Sequence, residues 1–508
     1  MSPRRPPRNC PNPSARPSAR RAKKPRAQGD IVKWVFLSVF VIAVLMSGVA
    51  NMTLPRDDKL GVPTLVWVTD DNPARQEQMQ LFRQWHREHY GEEVDIRIDP
   101  SNYDRGKIVV QSLSGAGPDV FDYYGASQLE RYVASGILLD VTEVARDKGF
   151  SKEVVWEGIW PNFVSEGRQY GFPDNVNVEL ILYHKDMFDR AGVPYPDGDW
   201  TWEEFIEVAR KLAGASPDAR RQYALLRVEP SMMMRQNGAR MFSPEGTRCT
   251  WNSPEAVEAL EFYHNLRAKH HVMPTAAELE SHATAGGWGV GQINIFATKR
   301  FAMTQAGRWW FVGFERDARQ MIAHGKKPPF DLGVVEPPHF GRHYYTGGAR
   351  CTGISRTSRN RKYALRFLEY LASKPFNRQI NRTYDAIAPV VEHCTGPTGI
   401  ADGPEPIEGL EAADSKVWAD AMAEVKPEEI SPFIPPYRVE KLWREHKELL
   451  DADAATAEEV LEEFAQLVDD EIRRNVERDP DLKQRYKKAM RKEERQTVGL
   501  LAQSVGGR

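Results

Sequence analysis

Cysteine is scarce in this chain: four in 508 residues, at Cys10, Cys249, Cys351 and Cys394, with no C-x-x-C. A disulfide scaffold is excluded, and the three cysteines after the N-terminal segment allow at most one bridge with one thiol left over. Enzyme signatures are missing as well. No H-E-x-x-H, G-x-x-x-x-G-K-[ST] or G-x-S-x-G occurs, and Gly115-x-Gly117 lacks the third glycine of a dinucleotide fingerprint, with Pro118 interrupting the helix it would need. His86 and His89 stand three apart without a supporting carboxylate pattern, which reads as an exposed helical face, and the His270-His271 pair reads alike. Glu203 and Glu204 are explained by a helix start. Outside the N-terminal tail acids balance bases, so nucleic-acid binding has no footprint. No metal, cofactor or covalent chemistry is expected.

What is present begins with charge. The first thirty residues hold nine Lys or Arg, one acid and seven prolines, net +8, against −2 for the whole chain and hence −10 for the remainder. That composition predicts a disordered cytoplasmic tail over 1–30. Trp34 to Ala50 follows, seventeen residues without a charge. With Ile31 and Val32 this predicts a transmembrane signal anchor over 31–50, basic side inward and the large domain outside. The alternative is a signal peptide cleaved after Ala50, giving a periplasmic or secreted protein. A lipoprotein anchor does not fit, because Cys10 precedes the apolar run.

Beyond the anchor, strands alternate with helices, which predicts a parallel α/β sheet. Thr64–Thr69 is the first strand, Asn72-Pro73 a helix start with Met79, Phe82 and Trp85 inward, and Val94–Ile98 the second strand. A helix near Arg105–Leu113 and a third strand through Phe121 follow. In Tyr170–Gly214, Val176, Val178, Leu180 and Leu182 share one parity and Asn175, Asn177 and Glu179 the other, a strand with one buried face. A helix over Lys185–Ala191 stops at Gly192, and Thr201 with Glu204 makes a capping box. Later come a Ser253-Pro254 helix start, a strand from Phe301 turning at Gly307, a strand at Phe330–Glu336, a helix from near Ser358 and a late helix carrying Val460, Phe464, Val468 and Ile472. The densely charged segment past Arg473 reads as an exposed helix or tail.

Taken in order, these pieces resemble the family 1 extracellular solute-binding proteins of ABC importers. The Tyr170–Gly214 segment is similar to that family's crossing between two lobes. Gly115-Ala-Gly-Pro-Asp119-Val resembles its G-x-G-P-D-V turn, Ser135-Gly-Ile-Leu-Leu-Asp140 its following element, and Ala302-Met-Thr-Gln-Ala-Gly-Arg-Trp309 its A-M-x-x-x-G-x-W signature. Gly347–Ile354 resembles the return crossing. The resemblance runs from about Thr64 to Asn475. It implies a two-lobed type II periplasmic-binding-protein fold with an interlobe ligand cleft. Lobe 1 would be 63–173 with 340–395, lobe 2 174–339 with 396–475, and 476–508 a charged extension.

The resemblance places Trp309 and Tyr123 in the cleft and gives Asp119 a structural turn. Of Trp309 and Trp310, adjacent on a strand, at most one can be core. Tyr124, Asp70 and Asp71 lie at the carboxyl ends of strands, where ligands of open α/β sheets sit, though helix-entry turns explain the aspartates equally. Asn175 and Asn177 occupy the polar face of the crossing strand, where relatives often carry a carboxylate. Gly347 and Gly348 could admit a ligand to the backbone or serve the hinge alone, and Arg235, Gln236 and Asn237 are further polar loop candidates. The implied function is capture of a sugar or oligosaccharide between hinged lobes and delivery to ABC permease subunits. A membrane-anchored carbohydrate sensor and an exported polysaccharide hydrolase are the alternatives.

Overall fold

The first three strands are each followed by a helix, and their sequence encodes why. β1 (Thr64–Val68), β2 (Asp95–Asp99) and β3 (Val120–Tyr124) lie in the order β2-β1-β3, all parallel. Asn72 accepts a hydrogen bond from the Arg75 amide and caps the helix Pro73–Tyr90, with Pro73 in the first turn, where an N–H is not needed. Met79, Phe82 and Trp85 are buried. Asp119 holds the turn before β3, accepting from the Val66 amide (3.0 Å), Ser358 Oγ (2.6 Å) and Asn360 Nδ2 (3.2 Å). The computed structural model of the chain describes Ser38 and residues 61–101, 104–215, 221–280, 290–394 and 407–505. The tail expected over 1–30 and, Ser38 aside, the anchor over 31–50 lie outside them. Among the described residues no helix is long and apolar enough to cross a membrane.

A hairpin of β4 (Val164–Ser165) and β5 (Arg168–Gln169) leads into β6, the fourteen-residue strand Gly171–His184. β7 (Gly214–Ala215), β8 (Arg221–Leu225), β9 (Phe301–Gly307), β10 (Leu332–Val335) and β11 (Gly347–Ile354) complete the set. β6 changes partners midway. Gly171–Val178 pairs with β11, which pairs on its other edge with β3; Glu179–Tyr183 pairs with β9, and Ile181–His184 with β10. One strand therefore belongs to two sheets, β2-β1-β3-β11 on one side and β9-β8-β7 on the other, in a two-lobed α/β arrangement. The sheet is mixed rather than parallel. Among the strands of the described residues only β1–β2, β1–β3 and β8–β9 run parallel, because β6 and β11 traverse the molecule in opposite directions and each pairs antiparallel with its neighbours.

Val176, Val178, Leu180 and Leu182 enter one apolar cluster, as the alternation requires. Past Glu179 the opposite face is buried too: Ile181 and Tyr183 join a second cluster with Trp202, Phe205 and Phe464. Gly192 (φ 63°) ends the helix after β6, and Thr201 and Glu204 close a reciprocal capping box. The C-terminal helix Pro480–Val505 is docked rather than free, through Leu482, Tyr486 and Ala489 on the second cluster and Glu493 on Thr247 and the Glu245 amide. His86 is buried, not on an exposed face. Its Nδ1 meets the Glu92 carbonyl at 2.8 Å and its Nε2 meets Arg366 at 3.1 Å. Cys249, Cys351 and Cys394 are free thiols in apolar surroundings, so the single bridge left open by the sequence does not form. Burial pushes Cys249 and Cys394 up to about 12.

Candidate ligand-binding cleft

The floor of the candidate cleft, where β6 pairs with β11, is a network of largely buried charges. Arg350 on β11 faces Asn175 on β6, but Cys351 faces Pro173, so Asp174 is the extra residue of a β-bulge. The bulge turns the Asp174 carboxylate onto Arg350 Nε at 2.7 Å. Arg350 Nη1 reaches Asp70 at 2.7 Å, and Nη2 lies 3.5 Å from Asp385. Arg75, from the helix after β1, donates to Asp70 (3.1 Å) and Asp385 (2.6 Å). Asp122 on β3 accepts from Trp67 Nε1 at 2.7 Å and from Thr69. Thr352 Oγ1 lies 2.8 Å from Asp122 and 3.1 Å from Asp174. Four carboxylates thus surround two guanidiniums, and a hydroxyl with one proton serves two acids.

Burial raises Asp122 to about 6 and Asp174 well above the carboxylate range; repulsion from Asp122 adds to the Asp174 shift. Asp385 is raised by burial despite Arg75. The arrangement favours a shared proton on the Asp122–Asp174 pair.

Around this floor the expected residues divide. Asp70 is in the network, and the more exposed Asp71 accepts from Gln76 at 3.2 Å. Tyr123, expected in the cleft, is instead fully buried against Tyr132 in the first lobe's core, because odd positions of β3 face the helices. Tyr124 has the parity of Asp122 and keeps some exposure; burial and then Asp122 and Asp70 raise its phenol. Asn175 is buried, donating to the Asp385 carbonyl at 3.1 Å, and Asn177 is half-buried opposite Gly348. A Cβ on Gly347 would meet Val425 at 2.7 Å, whereas on Gly348 it would meet only Asn162 at 3.6 Å. Trp309 and Trp310 lie in a 3-10 turn after β9, not on the strand. Trp310 is core, and Trp309 remains partly exposed, edge-on to Trp310 and against Gly307.

The second lobe supplies charges the sequence reading did not select. Glu179, at the point where β6 changes sheets, takes both terminal nitrogens of Arg227 at 3.3 and 3.2 Å. It shares the parity of Asn175 and Asn177, a signal that could have found it; Arg350 stands in the return crossing, while Arg75 and Asp385 carry no local signal. Arg235 lies 5.4 Å from the ring centres of both Trp251 and Tyr344. Gln236 is buried, accepting from Trp202 Nε1, and Asn237 is held by Glu255 and Glu258. Ser127 donates across to Glu440 at 2.6 Å, and Arg485 reaches Glu166 at 3.1 Å.

Away from the cleft, Asp199, His339 and His343 place donor atoms within 4.8 Å of one another. Their wiring does not suit an ion. His339 Nδ1 accepts the Gly341 amide at 2.9 Å, so Nε2 must carry the proton that it gives Asp199 at 3.0 Å. No lone pair remains on that ring for a metal.

Residues 71–377 match the family of bacterial extracellular solute-binding proteins, more than half of the chain. The chain belongs to that family. Among curated relatives, the solute-binding protein is 24% identical over 122 residues to an arabinooligosaccharide-binding protein of Halalkalibacterium halodurans, covering 24% of this chain and 27% of the relative. It is 28% identical over 105 residues to the sn-glycerol-3-phosphate-binding periplasmic protein UgpB of Rhizobium meliloti, covering 20% and 24%. The alignments span about a quarter of those relatives. Among solved structures, an ABC substrate-binding protein of Listeria monocytogenes in complex with cycloalternan superposes with TM-score 0.63 at 21% identity, over 80% of this chain and 98% of that one. The sugar-binding protein MalE of Xanthomonas citri gives 0.63 at 17%, over 81% and 98%. At these identities the structures establish the fold.

Proposed function

We propose that this solute-binding protein captures a sugar or oligosaccharide between its lobes and delivers it to the permease of an ABC importer. The observation that carries the reading is β6, whose hydrogen bonds pass from one lobe's sheet to the other's at Val178 and Glu179. A ligand held there touches both lobes and selects the closed arrangement. The polar lining suits hydroxyl groups, and Trp309, partly exposed at the second lobe's edge, offers a ring face to a pyranose. Tyr124, Asp70, Asn177 and the Gly347-Gly348 backbone are the accompanying contacts in this reading. The arabinooligosaccharide-binding relative and the sugar-bound neighbours support a saccharide; the glycerol-phosphate-binding relatives raise a phosphoester as the other chemistry. Lobe limits of 63–173 with 340–395 and 174–339 with 396–475 accompany the proposal, together with tethering through 31–50. Thermal-shift screening of the full-length protein against mono- and oligosaccharides tests it. The expected result is a rise in melting temperature with a saccharide; no rise with any of them rejects it.

A further inference from the structure

We infer that the cleft takes an uncharged saccharide and rejects phosphorylated or carboxylated ones. This inference rests on the saccharide reading above. An anion needs a positive charge that is not already balanced, and Arg227, Arg350 and Arg75 are each ion-paired with carboxylates, while the buried Nη2 groups of Arg350 and Arg75 donate no hydrogen bond among the described residues. Arg227 gives both terminal nitrogens to Glu179, and Nη1 also meets the Gln305 carbonyl at 2.7 Å. Arg350 is placed among Asp174, Asp70 and Asp385, and Arg75 between Asp70 and Asp385. Arg235 lies against two aromatic rings, Trp251 and Tyr344.

Counting charge gives the same answer. The four floor aspartates with Glu179 face three guanidiniums, so the balance stays negative even with one proton shared between Asp122 and Asp174. A phosphate or uronate would enter a negative field and lose its hydration, a penalty like that of juxtaposed like charges. A vicinal diol meets no such penalty. Each hydroxyl both donates and accepts, which matches a carboxylate lying beside a guanidinium.

The test titrates the full-length protein with neutral mono- and oligosaccharides and with charged probes: sn-glycerol-3-phosphate, glucose-6-phosphate and glucuronate. Neutral members are expected to bind at least about tenfold tighter than their charged counterparts. In Glu179→Gln, which leaves the Arg227 charge uncompensated, affinity for the phosphorylated probes should rise about tenfold or more over wild type. A phosphorylated or carboxylated probe bound by wild type as tightly as its neutral parent overturns the inference and leaves a solute-binding cleft intact. Binding of no saccharide, neutral or charged, rejects the saccharide reading and the inference together. Because the wild-type panel decides the question, a Glu179→Gln protein that fails to fold does not remove the test.

Discussion

Two adjacent tryptophans with different surroundings separate binding from stability at the residue scale. Trp310 is buried among Phe296, Phe311 and Phe314, whereas Trp309 packs on one edge and stays partly exposed. Trp309→Ala is expected to weaken saccharide binding by about 1–3 kcal/mol with little change in melting temperature, read by titration calorimetry and thermal unfolding. Trp310→Ala should instead cost about 3–5 kcal/mol of stability. If Trp309→Ala leaves affinity unchanged and collapses the melting temperature, Trp309 is a packing residue. The neighbouring glycines differ in the same way. Gly347→Val meets Val425 and the Asn177 carbonyl and should lose about 1–3 kcal/mol. Gly348→Ala, with room for a methyl group, should stay within about 0.5 kcal/mol in denaturant titrations.

At the scale of elements, the bulged pairing of β6 with β11 and the start of the helix after β1 are held by buried charges. Arg350→Ala would remove the ion-pair partner of buried Asp174 and one of the two of Asp70 and of Asp385, and is expected to cost about 3–5 kcal/mol, because uncompensated buried charge is what destabilises. The network also sets a pH dependence with a definite sign. Asp122 is raised to about 6 in the fold, above the ordinary carboxylate value of about 3.9 in the unfolded chain. The folded state therefore holds the extra proton, and that contribution to stability is complete below about pH 4 and lost as pH rises through about 6. Asp122→Asn should flatten this segment of the profile in urea titrations across about pH 4–7. An identical slope in both proteins would place the raised group elsewhere.

For the whole molecule, β6 and β11 run between the lobes and buried Arg308 donates across to the Ala386 and Asn381 carbonyls, while Ser127–Glu440 and Arg485–Glu166 are side-chain contacts that can part. Saccharide should lower the radius of gyration in solution scattering and slow hydrogen exchange over Phe172–Tyr183 and Tyr345–Ile354. A tight ligand that moved neither would exclude hinge closure. Arg485→Ala should shift the open–closed balance by no more than about 1 kcal/mol, since its ion pair with Glu166 is exposed and screened by salt. At the other end of the chain, the +8 tail and the seventeen uncharged residues predict retention in the membrane fraction with an intact N-terminus. Soluble protein beginning at Asn51 would identify a cleaved signal instead.

Much of the architecture was local and therefore legible. Asn72-Pro73, the Thr201–Glu204 box, Gly192 and the alternation of β6 act within a few residues of themselves, so the sequence alone sets those elements and, through their order, the two-lobed fold. It did not set the directions of strand pairing, which follow from two crossing strands running opposite ways. Nor could it separate Tyr123 from Tyr124, since parity becomes a choice of face only once the helices are packed. The charged floor lay furthest from view. Arg75 reaches Asp385 across 310 positions and Arg350 reaches Asp70 across 280. Asp174 joins them only because a one-residue bulge turns it inward. Electrostatic partners at such separations are fixed by the tertiary structure, because a charge is stabilised by what surrounds it in space and carries no periodicity along the chain.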